Sequence, residues 1–208
     1  MLAKTSCRVS YSAAMNPLET LAALFGIISV YLSVRQNIWS WPTAIINVGL
    51  YTIVFFQSRL YADMGLQVVY VIISFYGWYQ WLYGGKGHTE LKVSRTSRQL
   101  GLLLAGIAVA SAFLLGTILH RTTNAALPYL DSTTTSVSLA AQWMMTKKLL
   151  ENWAVWVAVD VVYIGMFIYK SLYVTSLLYL VFLILSVMGY RQWKASLHEL
   201  ELVIAPAA

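Results

Sequence analysis

Trp41-Pro42-Thr43-Ala44 opens a stretch that closes on Tyr76-Gly77-Trp78-Tyr79-Gln80-Trp81. Trp153-Ala154-Val155-Trp156 opens a second, which closes on Met188-Gly189-Tyr190-Arg191-Gln192-Trp193. The two stretches align without a gap at one offset of 112 residues. Trp41 falls on Trp153, Tyr51 on Tyr163 and Tyr61 on Tyr173. Ser74, Gly77, Gln80 and Trp81 fall on Ser186, Gly189, Gln192 and Trp193. The register also runs backwards, placing Glu19 on Asp131 and Arg35 on Lys147. The chain therefore reads as two copies of one unit.

Composition places both copies in a bilayer. The 208 residues are 59% hydrophobic and only 11% charged, against about 25% charged in a soluble domain. Apolar runs of near-membrane-spanning length, roughly 20 residues, lie at 18–34, 40–57, 62–83, 100–119, 128–146, 153–169 and 173–193. The second and sixth are short. The fifth holds five hydroxyl residues between Thr133 and Ser138. The expected fold is all-α and integral to the membrane, with seven transmembrane helices. An N-terminal tail at 1–17 precedes a triple-helix bundle at 18–83. A basic, flexible loop and a lone linker helix follow at 84–127, then a second bundle at 128–193 and a tail at 194–208. One helix between two three-helix units leaves both units in the same orientation. This gives a 3+1+3 arrangement of parallel repeats, SWEET-like in plan, in which ligands sit at the repeat interface.

The net charge of +6 follows topology rather than a nucleic-acid partner. Arg35, Lys86, Lys92, Arg95, Arg98, Lys147, Lys148, Arg191 and Lys194 fall on one side. Lys4, Arg8, Arg59, Arg121 and Lys170 fall on the other. The positive-inside rule then places the N-terminus outside and the C-terminus in the cytoplasm. Residues 1–16 lack an apolar run and do not read as a cleaved signal. The lone Cys7 has no intrachain disulfide partner.

Polar residues inside a membrane mark function by default. On the fifth helix Asp131, Thr135, Ser138 and Gln142 share one face at i, i+4, i+7 and i+11. Such a stripe is expected to turn inward, towards a cavity or neighbouring helices. On the sixth helix Trp153, Trp156, Asp160 and Tyr163 share a face. A carboxylate mid-helix costs about 2.5–3.5 kcal/mol on insertion scales, so Asp160 needs a reason to be there. Two indoles beside it suit a flat or cationic ring. Asn47 and Tyr51 on the second helix, and Gln67, Tyr70 and Ser74 on the third, add donors and acceptors. Catalytic chemistry finds no support. The three histidines are scattered, there is no Cys/His metal set, no Ser-His-Asp arrangement, and Gly84-Gly85-Lys86-Gly87 lacks phosphate-loop spacing. No cofactor, metal ligand or catalytic residue is expected, and the protein does not read as an enzyme.

Specific motifs add a family resemblance. They are Ile46-Asn47-Val48-Gly49-Leu50-Tyr51, the run from Arg59 to Gln67, Tyr76 to Trp81, and Ser138 to Trp143. The last continues through Lys148 to Glu151-Asn152-Trp153 and Trp156. Across 18–193 the chain resembles the PnuC family of nicotinamide riboside transporters. The resemblance implies a SWEET-like 3+1+3 fold and a homotrimer in the bacterial inner membrane. It also implies facilitated diffusion of an unphosphorylated vitamin B3 form, trapped by cytoplasmic phosphorylation and feeding NAD synthesis. The substrate-binding set expected on that basis is Trp153, Trp156, Asp160, Gln142, Asn47, Gln67, Tyr51, Thr135 and Ser138. Some relatives resemble this chain but carry Asn where Asp160 stands. Alternatives are a thiamine or riboflavin transporter of the same family, a sugar carrier, or a membrane receptor that moves nothing.

Overall fold

The computed structural model describes residues 17–57, 61–123, 127–169 and 173–204. They form seven helices: α1 (Pro17–Val34), α2 (Ser40–Gln57), α3 (Tyr61–Tyr83), α4 (Arg98–Thr122), α5 (Pro128–Thr146), α6 (Asn152–Tyr169) and α7 (Tyr173–Ile204). The apolar runs predict these elements closely. By length and composition α1, α4, α6 and α7 are each able to cross a bilayer. Tyrosine, glutamine and hydroxyl residues interrupt the apolar character of α2, α3 and α5. The segment 1–16, Arg59 and Lys170 lie outside the described residues.

Local signals set the ends. Ser97 caps α4, its hydroxyl accepting from the Leu100 amide at 3.3 Å, which satisfies a donor the helix itself leaves free. Pro128 opens α5, where its missing N–H costs nothing. The turns closing α1 and α5 are built alike. Gln36 and Lys148, 112 residues apart, both take a left-handed backbone with φ of 54° and 48°. Gln36 N–H donates to Ser33 O and Asn37 N–H to Leu32 O; Lys148 N–H donates to Met145 O and Leu149 N–H to Met144 O. This paired bonding satisfies the last carbonyls of a helix.

Helix packing repeats with the same period. α1 lies on α2 and α2 on α3; α5 lies on α6 and α6 on α7. Two further contacts join the groups reciprocally, α7 on α1 and α3 on α5. Among the described helices, α4 packs on α5 alone. At the joint sit four tryptophans. Trp41 meets Trp81 edge to face at 5.3 Å, and Trp153 meets Trp193 the same way at 5.4 Å. Trp81 and Trp193 touch at 5.9 Å. The Trp81 indole N–H donates to the Met145 carbonyl at 3.0 Å, and that of Trp193 to the Ser33 carbonyl at 3.0 Å. Each third helix thus bonds to the first helix of the other group. Gly77 and Gly189 let the rings in. A Cβ at Gly77 would stand 2.2 Å from the Trp41 ring, and one at Gly189 2.5 Å from Trp153.

The segment after α3 differs from the flexible loop the sequence suggests. It folds back as a strap. Leu91 N–H donates to Trp81 O, and Val93 is buried in the tryptophan core. Ser94 pairs with the α5–α6 turn, donating to Lys148 O and accepting from Leu150 N–H. Thr96 donates both its amide and its hydroxyl to a Glu151 oxygen, at 2.7 and 2.6 Å. Buried Val93 supplies the apolar reason, and the bridge satisfies the backbone polar groups. The helix ending at 193 in the sequence reading also runs on, as α7 continues to Ile204. Leu197 is buried in the same core, so the continuation has a face to cover. Residues 194–204 are therefore helix rather than tail.

Two outcomes follow. Gly189→Ala overpacks the Trp153 contact and should lower stability by about 1–3 kcal/mol, read as a fall in melting temperature of the purified protein; an unchanged melt would remove the close approach from the account. The second concerns Lys148, which is buried in the α5–α6 turn with its ammonium 4.4 Å from the centre of the Trp81 ring. Burial pushes its pKa down to about 8, Glu90 opposing and Lys92 adding to the shift. Above about pH 8 the folded chain gives up this proton while the unfolded chain holds it to near 10.5. Stability should therefore rise with pH across that window. A Lys148→Met variant should lack that component when the two melting curves are subtracted.

Candidate functional site

A cavity of about 480 Å³ lies between the two helix groups. It is walled by α1, α2, α3, α5, α6 and α7, and the tryptophan joint forms one end of it. Of the residues the sequence singles out, Asn47, Tyr51, Gln67, Ser138, Gln142, Trp153, Trp156 and Asp160 all line it. Thr135 does not, although Ser138 and Gln142 on the same stripe do. The hydroxyl-rich start of α5 serves its own helix instead: Ser132 bonds to Pro128 O, Thr133 to Tyr129 O, and Thr134 to Leu130 O and Asp131 O. Such back-bonding removes the need for an outside partner.

The eight lining residues are not equivalent. Asp160 is 2% exposed, and its Oδ2 accepts from the Ser186 hydroxyl at 3.1 Å. Among the residues lining the cavity there is no lysine or arginine. The Asn47 side-chain amide donates to Ala22 O at 2.6 Å, which fixes its orientation against α1. Trp153 is 1% exposed, with Gly189 over its ring and Trp193 at right angles. Its role as an open stacking platform is therefore reduced, and half-buried Trp156 is the freer ring. The indole N–H groups of Trp41 and Trp153 and the hydroxyls of Ser40 and Ser138 make no hydrogen bond with the protein, although all are buried and all border the cavity. The cavity wall thus offers donors and acceptors seeking partners.

Sequence reasoning omitted much of α7. Thr175, Tyr179, Phe182 and Ser186 line the cavity at i, i+4, i+7 and i+11, the same spacing as the α5 stripe, and this periodicity was the available signal. Tyr179 sits 4.7 Å from Tyr163, 5.2 Å from Phe167 and 5.7 Å from Phe182, centre to centre. The cavity is thus an aromatic box with one carboxylate, amide groups and no basic side chain. Its groups suit a small polar aromatic molecule; nothing in it supplies a nucleophile with a base or, among the described residues, a metal-ligand group.

Apolar helices around such a cavity define a multi-pass membrane transporter. The matches specify which. The family described as nicotinamide mononucleotide transporter covers residues 16–195, and the chain belongs to that family. It is 28% identical to the nicotinamide riboside transporter PnuC of Escherichia coli (strain K12), over 88% of this chain and 87% of that one. It is 25% identical to the riboflavin/roseoflavin transporter RibM of Streptomyces davaonensis, over 84% of this chain and 83% of that one. The crystal structure of the vitamin B3 transporter PnuC superposes with a TM-score of 0.69 at 28% identity, covering 88% of this chain and 82% of that one.

The aromatic box makes a distinction between its two tryptophans. Trp153→Phe removes an indole N–H that has no protein partner, so the melting temperature should change far less than in Trp193→Phe. The latter removes a buried hydrogen bond to the Ser33 carbonyl, which then keeps only the Gln36 N–H, at a cost of about 0.5–1.5 kcal/mol. Equal losses in the two variants would mean the Trp153 N–H is engaged in the folded protein.

Proposed function

We propose that this protein carries nicotinamide riboside across the bacterial inner membrane by facilitated diffusion. The observation that carries the reading is the buried carboxylate of Asp160, set in an aromatic cavity without a basic residue on its lining. The substrate has a positively charged pyridinium ring, a carboxamide and a ribose. Trp156 offers a face to the ring by cation–π attraction, with Trp153 behind it. Asp160 matches the cationic ring or the ribose hydroxyls. Gln142, Gln67, Asn47, Tyr51 and Ser138 match the carboxamide and remaining hydroxyls. Thr135, off the lining, acts at most from the rim. The names of the PnuC relatives support the same substrate.

All seven helices cross the membrane in this reading, as 3+1+3 parallel repeats of SWEET-like plan. The matched turns at Gln36 and Lys148 and the crossed indole bonds support it. The excess of basic residues near the strap supports an N-terminus outside and a C-terminus in the cytoplasm. The protein works as a homotrimer with one site per subunit. One helix group rocks against the other, and the substrate moves down its gradient until a cytoplasmic kinase phosphorylates and traps it for NAD synthesis. A phosphate in the cavity would meet Asp160 and no lining lysine or arginine. We therefore expect the mononucleotide to be excluded, although it gives the family its description.

The likeness to RibM makes riboflavin the second reading, and competition by unlabelled vitamins separates the two. Labelled nicotinamide riboside should equilibrate into proteoliposomes, and a proton gradient should not raise it above equilibrium. Riboflavin outcompeting the riboside would replace the substrate, and gradient-driven accumulation would replace the mechanism. Trp156→Ala should weaken riboside binding by about 1–3 kcal/mol, the worth of stacking on one aromatic, in calorimetry on a variant that melts like wild type. The mononucleotide should give no binding heat in that assay, and tight binding would overturn the exclusion argument.

A further inference from the structure

Inside the cavity a carboxylate and a hydroxyl are committed to each other. Among the described residues lining it, Asp160 is the one charged group. Asp160 is 2% exposed and Ser186 3% exposed, and the Ser186 hydroxyl donates to Asp160 Oδ2 at 3.1 Å. Oδ1 takes no hydrogen bond from the described residues. One oxygen is therefore held by α7, and the other is left for a ligand.

The Ser186 bond differs from most hydroxyl bonds in these helices. Thr52, Ser111, Thr117 and Ser132 each donate to a carbonyl one turn back in their own helix, the common arrangement for a hydroxyl in mid-helix. Ser186 instead crosses from α7 to a side chain on α6. The repeat shows what is particular about this pair. Ser186 matches Ser74, which is also buried on the lining, but Asp160 matches Val48. The serine belongs to both halves, and the carboxylate it serves belongs to one.

A carboxylate constrains the ligand in a way that an amide does not. An amide side chain would also accept hydrogen bonds from ribose hydroxyls, and it would be cheaper to place inside a membrane. What the carboxylate adds is charge. No lysine or arginine on the lining neutralises it. A ligand that brings a positive charge completes the site, while a neutral one of the same shape leaves the charge without a counterion. The attraction is largest at contact distance in a low-dielectric site. A carboxylate free to turn about its two side-chain torsions would spend only part of its time there, and the bond to Ser186 removes that freedom.

We propose that Ser186 is a positioning residue, fixing Asp160 so that its free oxygen faces the ring of the ligand, and that the pair selects positively charged flat nucleosides over neutral ones of the same shape. The proposal rests on the riboside reading of the cavity for its substrate, and the test separates the two.

Calorimetry on the purified full chain compares nicotinamide riboside with benzamide riboside, a neutral isostere in which carbon replaces the pyridinium nitrogen. The wild type should bind the charged riboside at least about tenfold more tightly, the low end for a close charge pair. Asp160→Asn should bring the two affinities within about threefold, the remainder being cation–π attraction to Trp156. Ser186→Ala should narrow the wild-type gap by about three- to tenfold, the worth of one hydrogen bond. It should do so by weakening the charged ligand alone, and should change the gap no further in the Asp160→Asn background. Should the alanine variant not fold, Ser186→Cys puts a weak donor of similar shape in place of the hydroxyl and should narrow the gap in the same way. Equal affinities in the wild type would overturn the selection by charge. A Ser186 variant weakened equally for both ligands, or for neither, would overturn the positioning role. Thiamine, charged, and riboflavin, neutral, form a second pair. Binding of thiamine and of neither riboside would replace the substrate and uphold the selection, whereas binding of riboflavin alone, or of none of the four, would overturn both.

Discussion

Two tryptophans from α3 and α7 bond across the molecule to carbonyls at the ends of α5 and α1, and the rest of the structure is arranged around that crossing. The indole of Trp81 caps Met145, and that of Trp193 caps Ser33. Both carbonyls belong to the last turns of their helices, and each already accepts one turn N–H, from Lys148 and from Gln36. The indole takes the second lone pair of a buried carbonyl and so ties the two helix groups together. The bonds require the α3 and α7 ends to approach closely. Gly77 and Gly189 permit this by letting Trp41 and Trp153 lie where a methyl group would stand. Association through small residues and interhelical hydrogen bonds is what membrane helices have available, since lipid offers no hydrophobic drive between them.

Such a joint is nearly symmetric, and the cavity beside it is not. Asp160 on α6 corresponds to Val48 on α2, and Ser138 and Gln142 on α5 to Gly26 and Val30 on α1. Both halves put polar groups on the lining, but the carboxylate comes from the second half alone. Duplication supplies a scaffold that closes on itself, and divergence confined to the lining supplies a site with distinct ends. A ligand with a ring at one end and hydroxyls at the other needs that inequality.

The helix boundaries were legible because apolar runs and their punctuation act locally. Pro128 and Ser97 set starts that need no tertiary information. The shared faces of Ser138 with Gln142 and of Trp156 with Asp160 were legible for the same reason, as periodicity alone fixes them. What failed depends on contacts distant in sequence. Thr135 has the correct spacing but is not on the cavity lining. Trp153 has the correct face, yet Gly189 and Trp193 cover it, and neither lies near it in the chain. The basic segment after Tyr83 reads as loop because its order comes from Leu149, Leu150 and Glu151, more than fifty residues on. Leu197 prolongs α7 for the same kind of reason.

The unpaired polar atoms at the tryptophan end carry the argument from structure to selectivity. Ser40, Trp41 and Trp153 each keep a buried N–H or hydroxyl without a protein partner there, and Ser138 keeps one further along the cavity. Leaving such a group unsatisfied costs about 1–3 kcal/mol. A ligand that supplies acceptors there gains what the empty fold forgoes, and an isostere lacking them inherits the penalty. A site built on hydrogen bonds rejects the analogue without them far more sharply than an apolar pocket rejects a missing methylene. The aromatic walls are permissive about the ring they receive. On the proposed reading, discrimination among flat, vitamin-sized molecules falls to these groups and to the carboxylate of Asp160.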